Sequence, residues 1–237
     1  MRARTSATLW AMDGVEKAEE EGVMILPAGY SDDARALWDA ATALNRAAAA
    51  VSPAAARLPP MLFFTDPDRT PRPWETAACL PAGSAVVYRA FGKEDALDIG
   101  RRLREATTNR GVKLLIGLDA DMAHALAADG VHLPEREAHR APMIRAAYPD
   151  WLITAAWHGA AASIQALDAL ILSPIFAAGG VSTDKPSLGI APFRAKAQSV
   201  SLPVYALGGI KPANASTLTD TEACGLAAVE AIQSAFR

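Results

Sequence analysis

The stretch PVYALGGIKP, residues 203–212, joins three local signals within a single short segment. Val204–Leu207 is an apolar run that favours a β-strand, and Gly208 and Gly209 form a turn. Pro212 stands where the first turn of a helix tolerates proline. A strand, a tight turn and a helix in this order make up one unit of a parallel β/α fold.

The same alternation extends backwards to Met61 and forwards to the end of the chain. One helix is predicted over Glu94–Thr107, and Pro142 begins another. Eight β/α units predict an α/β protein with a (β/α)8 TIM barrel; a doubly wound open sheet is disfavoured because no GxGxxG follows a strand. The predicted strands are Met61–Phe64, Ala85–Tyr88, Val112–Ile116, Gly130–Leu133, Trp151–Ala155, Ala169–Ser173, Val204–Leu207 and Leu226–Val229.

The first 60 residues differ from the rest in being rich in alanine and acidic residues. We predict an N-terminal, partly helical extension over 1–60 and the barrel over 61–237. Within the extension, Ser31 is a suitable N-cap for a helix over 32–51, whose apolar residues recur at helical spacing. The apolar stripe of this helix must be covered either by the barrel or by another subunit, and a homo-oligomer is therefore one expectation.

Composition excludes several classes of partner. The 237 residues contain 23 Lys and Arg against 26 Asp and Glu, a net charge of -3, so no nucleic-acid partner is expected. The apolar stretches are interrupted by charged residues, Gly and Pro, and neither a membrane span nor a signal peptide is predicted. Cys79 and Cys224 are too few and too far apart for a disulfide framework or a zinc site, which favours a cytoplasmic setting.

In a barrel of this kind, the reacting groups lie at the carboxyl ends of the strands. Gly208 and Gly209 predict a phosphate cradle there, although a tight turn without a ligand explains the same residues. Lys185 falls in a long Gly-rich loop after strand six and is a candidate to contact phosphate. His132 and His158 follow strands four and five, where a near-neutral pKa would suit proton transfer; a structural histidine is the alternative for each.

Three ordered motifs in residues 61–235 resemble the thiamine phosphate synthase/TenI family of small (β/α)8 barrels. Ala128–Leu133 is similar to the family's AdGVHLgQ, Ser173–Phe176 with Lys185 to GPvFpTpTKpd, and Pro203–Asn214 to PvvAIGGItpeN. Arg89 is similar to the arginine of QLR(D/E)K, and His158 falls where the family has SvH.

The resemblance implies a thiamine-biosynthesis enzyme that couples hydroxymethylpyrimidine pyrophosphate to thiazole phosphate and releases pyrophosphate. Its partners would be these small-molecule thiamine precursors, and Mg²⁺ would be its cofactor. The implied catalytic residues are Arg89, Lys185 and His158, of which Arg89 and Lys185 would hold the pyrophosphate. The residues that would bind substrate or phosphate are His132, Ser173, Gly208, Gly209 and Glu230, and the metal candidates are Asp119 and Glu137.

The departures from the family pattern keep two other functions open. Gly117 and Leu118 replace an Asn-Asp pair that binds Mg²⁺ in the family, Phe91 replaces the lysine of QLR(D/E)K, and Glu230 replaces a small residue beside the thiazole phosphate. A TenI-like thiazole tautomerase needs a proton shuttle but neither pyrophosphate nor Mg²⁺, and His158 would serve it. A catalytically silent barrel that binds thiazole phosphate is the third reading.

Overall fold

A computed structural model describes residues 26–159, 164–178 and 186–237. Eight parallel strands close into a barrel in chain order, with β1 paired to both β2 and β8. The predicted (β/α)8 fold is confirmed. The strands are β1 Met61–Phe64, β2 Ala85–Tyr88, β3 Lys113–Gly117, β4 Gly130–Leu133, β5 Leu152–Trp157, β6 Ala169–Leu172, β7 Val204–Leu207 and β8 Leu226–Ala228.

Four strands have the predicted bounds, and the largest difference is in β5. The sequence predicted that β5 ends at Ala155, whereas it continues to Trp157. The two additional residues continue the ladder, because Ala156 pairs with Ile171 and Trp157 with Leu172 of β6. This longer pairing brings the next residue, His158, to the rim at the carboxyl end of the barrel.

In the described part of the chain, a helix follows every strand except β5, and two of these helices contain the prolines that the sequence placed in a first turn. Pro142 and Pro212 both occupy the first turn of a helix. The helix predicted over Glu94–Thr107 runs over Ala96–Arg110 and ends at Gly111, which adopts a positive φ. No helix among the described residues combines the length and apolarity needed to cross a bilayer. The α-helices are α1 Asp32–Val51, α2 Pro73–Ala77, α3 Ala96–Arg110, α4 Ala120–Ala125, α5 Ala141–Ala147, α6 Ile190–Gln198, α7 Pro212–Ala215 and α8 Glu230–Ala235.

Helix α1 belongs to the same hydrophobic core as the barrel. It has the predicted bounds, and the Ser31 side chain accepts a hydrogen bond from the N–H of Ala34 at 3.1 Å, as expected of an N-cap. Leu37, Trp38 and Leu44 are almost completely buried and join the cluster that contains the strand residues. The barrel therefore covers the apolar stripe of α1 as far as Leu44, whereas Val51 at the end of the helix is exposed.

Candidate active site

A cavity of about 450 Å³ opens at the carboxyl ends of the strands, between the loops that follow β1, β2, β6, β7 and β8. Its lining includes five residues that the sequence predicted for the site, together with Arg69, which the sequence did not predict. The five predicted residues are Arg89, Ser173, Gly208, Gly209 and Glu230. Their convergence from separate loops defines the candidate site.

The Gly208-Gly209 turn forms one wall of the cavity, and only glycine fits it. Both residues have positive φ angles, 102° and 65°. A Cβ at Gly209 would lie 2.4 Å from the carbonyl oxygen of Ala177, because the loop after β6 passes directly against the turn. The Asn214 side chain holds the turn by donating a hydrogen bond to the Gly209 carbonyl at 3.0 Å.

The N–H groups of Gly209 and Ile210 donate no hydrogen bond to any described residue. Two free backbone donors at the wall of a cavity are the arrangement that binds a phosphate oxygen. The two residues line the cavity where the sequence predicts a phosphate cradle, and the cradle itself stays a prediction.

Arg89 forms the cationic end of the cavity and is fixed by its neighbours. Its Nε donates to the Thr65 carbonyl at 2.7 Å, and its backbone N–H donates to the Thr65 hydroxyl at 2.9 Å. The guanidinium lies 5.3 Å from the ring centroids of both Phe64 and Phe91. Its Nη2 is buried and makes no hydrogen bond with the described residues, although a carboxylate oxygen of Asp66 lies 4.0 Å away.

Burial lowers the pKa of Arg89 to about 10, partly offset by the negative charge of Asp66. The side chain is therefore still protonated at neutral pH. A buried cation with an unused donor that lines a cavity is a strong candidate to bind an anionic ligand.

Arg69 is a second cation in the cavity, and sequence reasoning missed it. Its Nη2 lies 3.0 Å from Asp66 Oδ2, and its Nη1 lies 3.8 Å from Glu230 Oε1. Burial raises the pKa of Asp66, but the hydrogen bonds and positive charge of Arg69 outweigh it, so the pKa lies below its ordinary value. Arg69 could have been found from its position, because it lies in a charged loop directly after β1 and the loops at the carboxyl ends of barrel strands carry functional residues.

His132 lies deep in the barrel and is a neutral imidazole. Its Nδ1 is 3.0 Å from the Thr154 hydroxyl, and its ring meets Phe64 edge-on at 5.0 Å between centroids. Burial, together with the positive charge of Arg89, lowers the pKa of His132 to about 3. The near-neutral pKa expected for this histidine is wrong; its role in binding substrate stays a prediction.

His158 forms a close pair with Glu135 at the ends of β5 and β4. Glu135 Oε2 lies 2.6 Å from His158 Nδ1, and Glu135 Oε1 accepts the backbone N–H of His158 at 3.1 Å. Both side chains keep some solvent exposure. Sequence reasoning placed His158 at the rim but missed Glu135, although residues after neighbouring parallel strands are expected to meet.

The two predicted metal ligands have other partners. Asp119 is the N-cap of α4 and accepts a hydrogen bond from the N–H of Met122 at 2.8 Å. Glu137 lies 3.8 Å from arginine nitrogens of both Arg136 and Arg140. Among residues 26–159, 164–178 and 186–237, no group of three or more His, Cys, Asp or Glu side chains is placed to hold a metal ion. Asp119 and Glu137 are thus each engaged by other groups, and the binding of Mg²⁺ by the chain stays a prediction.

The remaining predicted residues divide between the cavity and the undescribed part of the chain. Ser173 and Glu230 line the cavity, as stated above. Lys185 lies outside the described residues. The structure thus brings Arg89, Ser173, Gly208, Gly209 and Glu230 into one cavity, with His132 beneath it beside Phe64 and His158 paired to Glu135 at the barrel rim.

Comparisons with known proteins show to which family the chain is related. Residues 63–232 match the family model described as thiamine monophosphate synthase. The thiamine-phosphate synthase of Methanoculleus marisnigri is 32% identical over 166 residues, which cover 67% of this chain and 79% of that protein. The thiamine-phosphate synthase of Laribacter hongkongensis is 33% identical over 163 residues, covering 66% and 77%.

The solved structure of a thiamine phosphate pyrophosphorylase from Pyrococcus furiosus has a similar fold. Its TM-score is 0.59 at 24% sequence identity, and the match covers 74% of this chain and 91% of that one. At this identity the likeness concerns the fold alone. On the family model and the identity to these relatives, the chain belongs to the thiamine monophosphate synthase family.

Proposed function

We propose that this protein is a thiamine phosphate synthase, which couples hydroxymethylpyrimidine pyrophosphate to thiazole phosphate and releases pyrophosphate. One observation carries the proposal: Arg89, which is protonated at neutral pH, lines the same cavity as Gly209 and Ile210, whose N–H groups donate to none of the described residues. A site that holds a buried cation and a phosphate cradle suits a reaction between two anionic substrates.

The thiazole phosphate binds at the wall made by the β7 turn. The N–H groups of Gly209 and Ile210 donate to its phosphate oxygens, and Arg69 Nη1 lies within the same cavity to neutralise charge. The close contact between the turn and the loop after β6 holds the donors in place before the ligand arrives. Binding therefore requires little reorganisation of the cradle.

The pyrophosphate of the other substrate binds at Arg89 and at Lys185, to which the sequence resemblance assigns the same role. The bond between the pyrimidine CH₂ and the pyrophosphate oxygen breaks, and its electron pair leaves with the pyrophosphate. The resulting pyrimidine-stabilised cation is attacked by the ring nitrogen of the thiazole, which forms the new C–N bond. The guanidinium of Arg89 stabilises the negative charge that develops on the leaving group.

The experiment is a coupling assay with both precursors, followed by oxidation of the product to fluorescent thiochrome. The proposal expects product only when both precursors are present, with a sharp loss of rate in Arg89→Gln. A variant with Glu105→Gln, an exposed residue on α3 outside the cavity, serves as a control for general effects of substitution. A wild-type protein that binds thiazole phosphate but forms no product would overturn the synthase proposal and leave a silent binding barrel.

The contact between Glu135 and His158 favours a second candidate, a thiazole tautomerase. A carboxylate at Nδ1 fixes the tautomer in which Nδ1 carries the proton and Nε2 is free to accept one. That is the arrangement of a general acid/base, whereas a pyrophosphate displacement does not need one.

The two candidates are separated by omitting the pyrimidine substrate. A tautomerase converts the tautomer of thiazole phosphate, supplied alone, into thiazole phosphate, and the transferred proton is followed by its exchange with solvent deuterium. A synthase leaves the tautomer unchanged, because its reaction needs the pyrimidine pyrophosphate. Conversion of the tautomer, combined with no coupled product from thiazole phosphate and the pyrimidine pyrophosphate, would select the second candidate.

A further inference from the structure

Glu230 places a carboxylate among the cations of the cavity. It is the first residue of α8 and follows β8, and it lines the cavity together with Arg69 and the Gly208-Gly209 turn. Its Oε1 lies 3.8 Å from Arg69 Nη1. A carboxylate in this place repels the dianionic phosphate that the cradle would bind, so its presence requires an explanation.

Arg69 contacts two carboxylates, and the two contacts differ in strength. Asp66 makes a close hydrogen-bonded pair with Nη2 at 3.0 Å and is only 13% exposed, and its lowered pKa keeps it ionised. Glu230 faces the other nitrogen at 3.8 Å and is 62% exposed. Exposed pairs at such distances are weak, so an incoming anion can displace Glu230 while Asp66 keeps Arg69 in position.

We propose that Glu230 is a specificity-determining residue. It pairs with Arg69 in the ligand-free protein and thereby reduces the preference of the cavity for a phosphate ester over the corresponding alcohol. A phosphate must displace the carboxylate from Arg69 before it can use that cation. A primary alcohol needs no such displacement, because its O–H can donate to the carboxylate where it stands. The alcohol form of the thiazole is thereby a ligand of the same cavity.

This inference rests on the proposed function only in its choice of thiazole ligands, because it concerns binding rather than coupling. Its failure is therefore distinguishable from failure of the synthase proposal. A protein that forms no coupled product still allows the two affinities to be measured. Conversely, an active synthase can lack the effect of Glu230.

The test measures dissociation constants of hydroxyethylthiazole and of its phosphate by calorimetry, for the wild type and Glu230→Gln. We expect the variant to bind the phosphate roughly two- to fivefold more tightly, while the affinity for the alcohol changes less than about 1.5-fold. The preference for phosphate over alcohol widens accordingly. Because Glu230 is exposed and glutamine is its isostere, the variant is expected to keep the melting temperature of the wild type.

Two further variants make the result specific. Glu75→Gln removes the same charge from α2, where Glu75 pairs with Arg72 at 2.9 Å and is 53% exposed, but it does not line the cavity. It should leave both affinities unchanged. In an Arg69→Gln background, Glu230→Gln should improve phosphate binding less than it does in the wild type, because the cation for which the carboxylate competes is gone and only its direct repulsion of the phosphate is relieved.

Three outcomes would overturn the proposal. Phosphate binding that is unchanged or weaker in Glu230→Gln would show that the carboxylate does not compete for Arg69. An equal gain for phosphate and alcohol would show that Glu230 does not discriminate between them. An equal gain in phosphate affinity in Glu75→Gln would show that the effect comes from the net charge of the protein and not from the position of Glu230.

Discussion

Glu135 holds His158 at two points, with Oε2 at 2.6 Å from the imidazole Nδ1 and Oε1 at 3.1 Å from the backbone nitrogen. The two residues follow β4 and β5, which are adjacent strands of the barrel. Because the carboxylate contacts both the backbone N–H and the ring, it holds the imidazole in one orientation, and Nε2 makes no hydrogen bond with the described part of the chain. This relationship bears directly on the choice between a synthase and a tautomerase.

For the synthase, we expect His158→Asn to lower the coupling rate less than about tenfold, because the main charge to be stabilised is on the leaving pyrophosphate. For a tautomerase, the same change removes the group that moves the proton, and the expected loss is roughly 10²- to 10⁴-fold. Steady-state rates for both reactions, measured on the same preparation, check this. Glu135→Gln is the companion variant. It should lower the rate of tautomerisation in a tautomerase and leave the coupling rate of a synthase unchanged.

Replacing Arg89 tests the pyrophosphate site. A charge-assisted hydrogen bond contributes about 1.5–3 kcal/mol, so Arg89→Gln should lower kcat/KM roughly ten- to hundredfold. Arg89→Lys keeps the charge but cannot reproduce the fixed contact of Nε with the Thr65 carbonyl, and should recover only part of the rate. Equal activity in all three proteins would remove Arg89 from the active site.

The phosphate cradle is tested by paired glycine substitutions. Gly209→Ala places a Cβ 2.4 Å from the Ala177 carbonyl oxygen, whereas Gly92→Ala meets no atom within 4 Å. Both residues have a positive φ, so each change costs about 1–2 kcal/mol of backbone strain. Gly209→Ala should cost roughly a further 1–3 kcal/mol and abolish phosphate binding. Denaturant unfolding and titration with thiazole phosphate measure the two effects; identical behaviour of the variants would argue against the close contact.

Helix α1 should contribute strongly to stability. Leu37 is completely buried in the shared core, and truncating a buried leucine to alanine costs about 2–5 kcal/mol. Val51 lies on the same helix and is 86% exposed, so Val51→Ala is the matched control, with an expected change within about 0.5 kcal/mol. Urea unfolding gives both values. A Leu37→Ala protein as stable as the wild type would mean that α1 does not pack on the barrel.

The depressed pKa of His132 predicts a dependence of stability on pH. Its pKa is about 3 in the folded protein and about 6.5 in an unfolded chain, so the unfolded state binds more protons between these values. Stability is therefore fully present above about pH 6.5 and falls as the pH drops towards 3, with a limiting slope of about 1.4 kcal/mol per pH unit.

The control is His132→Gln, which should lack this contribution. The difference in unfolding free energy between wild type and variant should shrink as the pH falls from 7 to 4. A difference in unfolding free energy that stays constant over this range would mean that the pKa of His132 is not lowered in the folded protein.

The fold could be predicted from the sequence because its signals are local. Apolar runs, paired glycines and prolines in first helical turns each depend on neighbouring residues, and these placed Met61–Phe64, Val204–Leu207 and the start of α7 correctly. The role of Asp119 was also accessible locally, since an aspartate directly before a helix is a favoured N-cap.

The rest of the site could not be read in this way, because it depends on contacts between distant residues. Arg69 meets Glu230 only after the barrel closes β8 onto β1, and Glu135 meets His158 only across two neighbouring strands. The pKa of His132 depends on how deeply the barrel buries its ring and on its distance from Arg89. These properties belong to the closed barrel and have no equivalent in a short window of sequence.

The most direct test of the central claim is the thiochrome assay on wild type and Arg89→Gln, with both precursors, each precursor alone, and Mg²⁺ either added or chelated. The account predicts thiamine phosphate only when both precursors are present, with a roughly ten- to hundredfold lower rate in the variant. No thiamine phosphate from the wild type in either metal condition, despite measurable binding of thiazole phosphate, would contradict it.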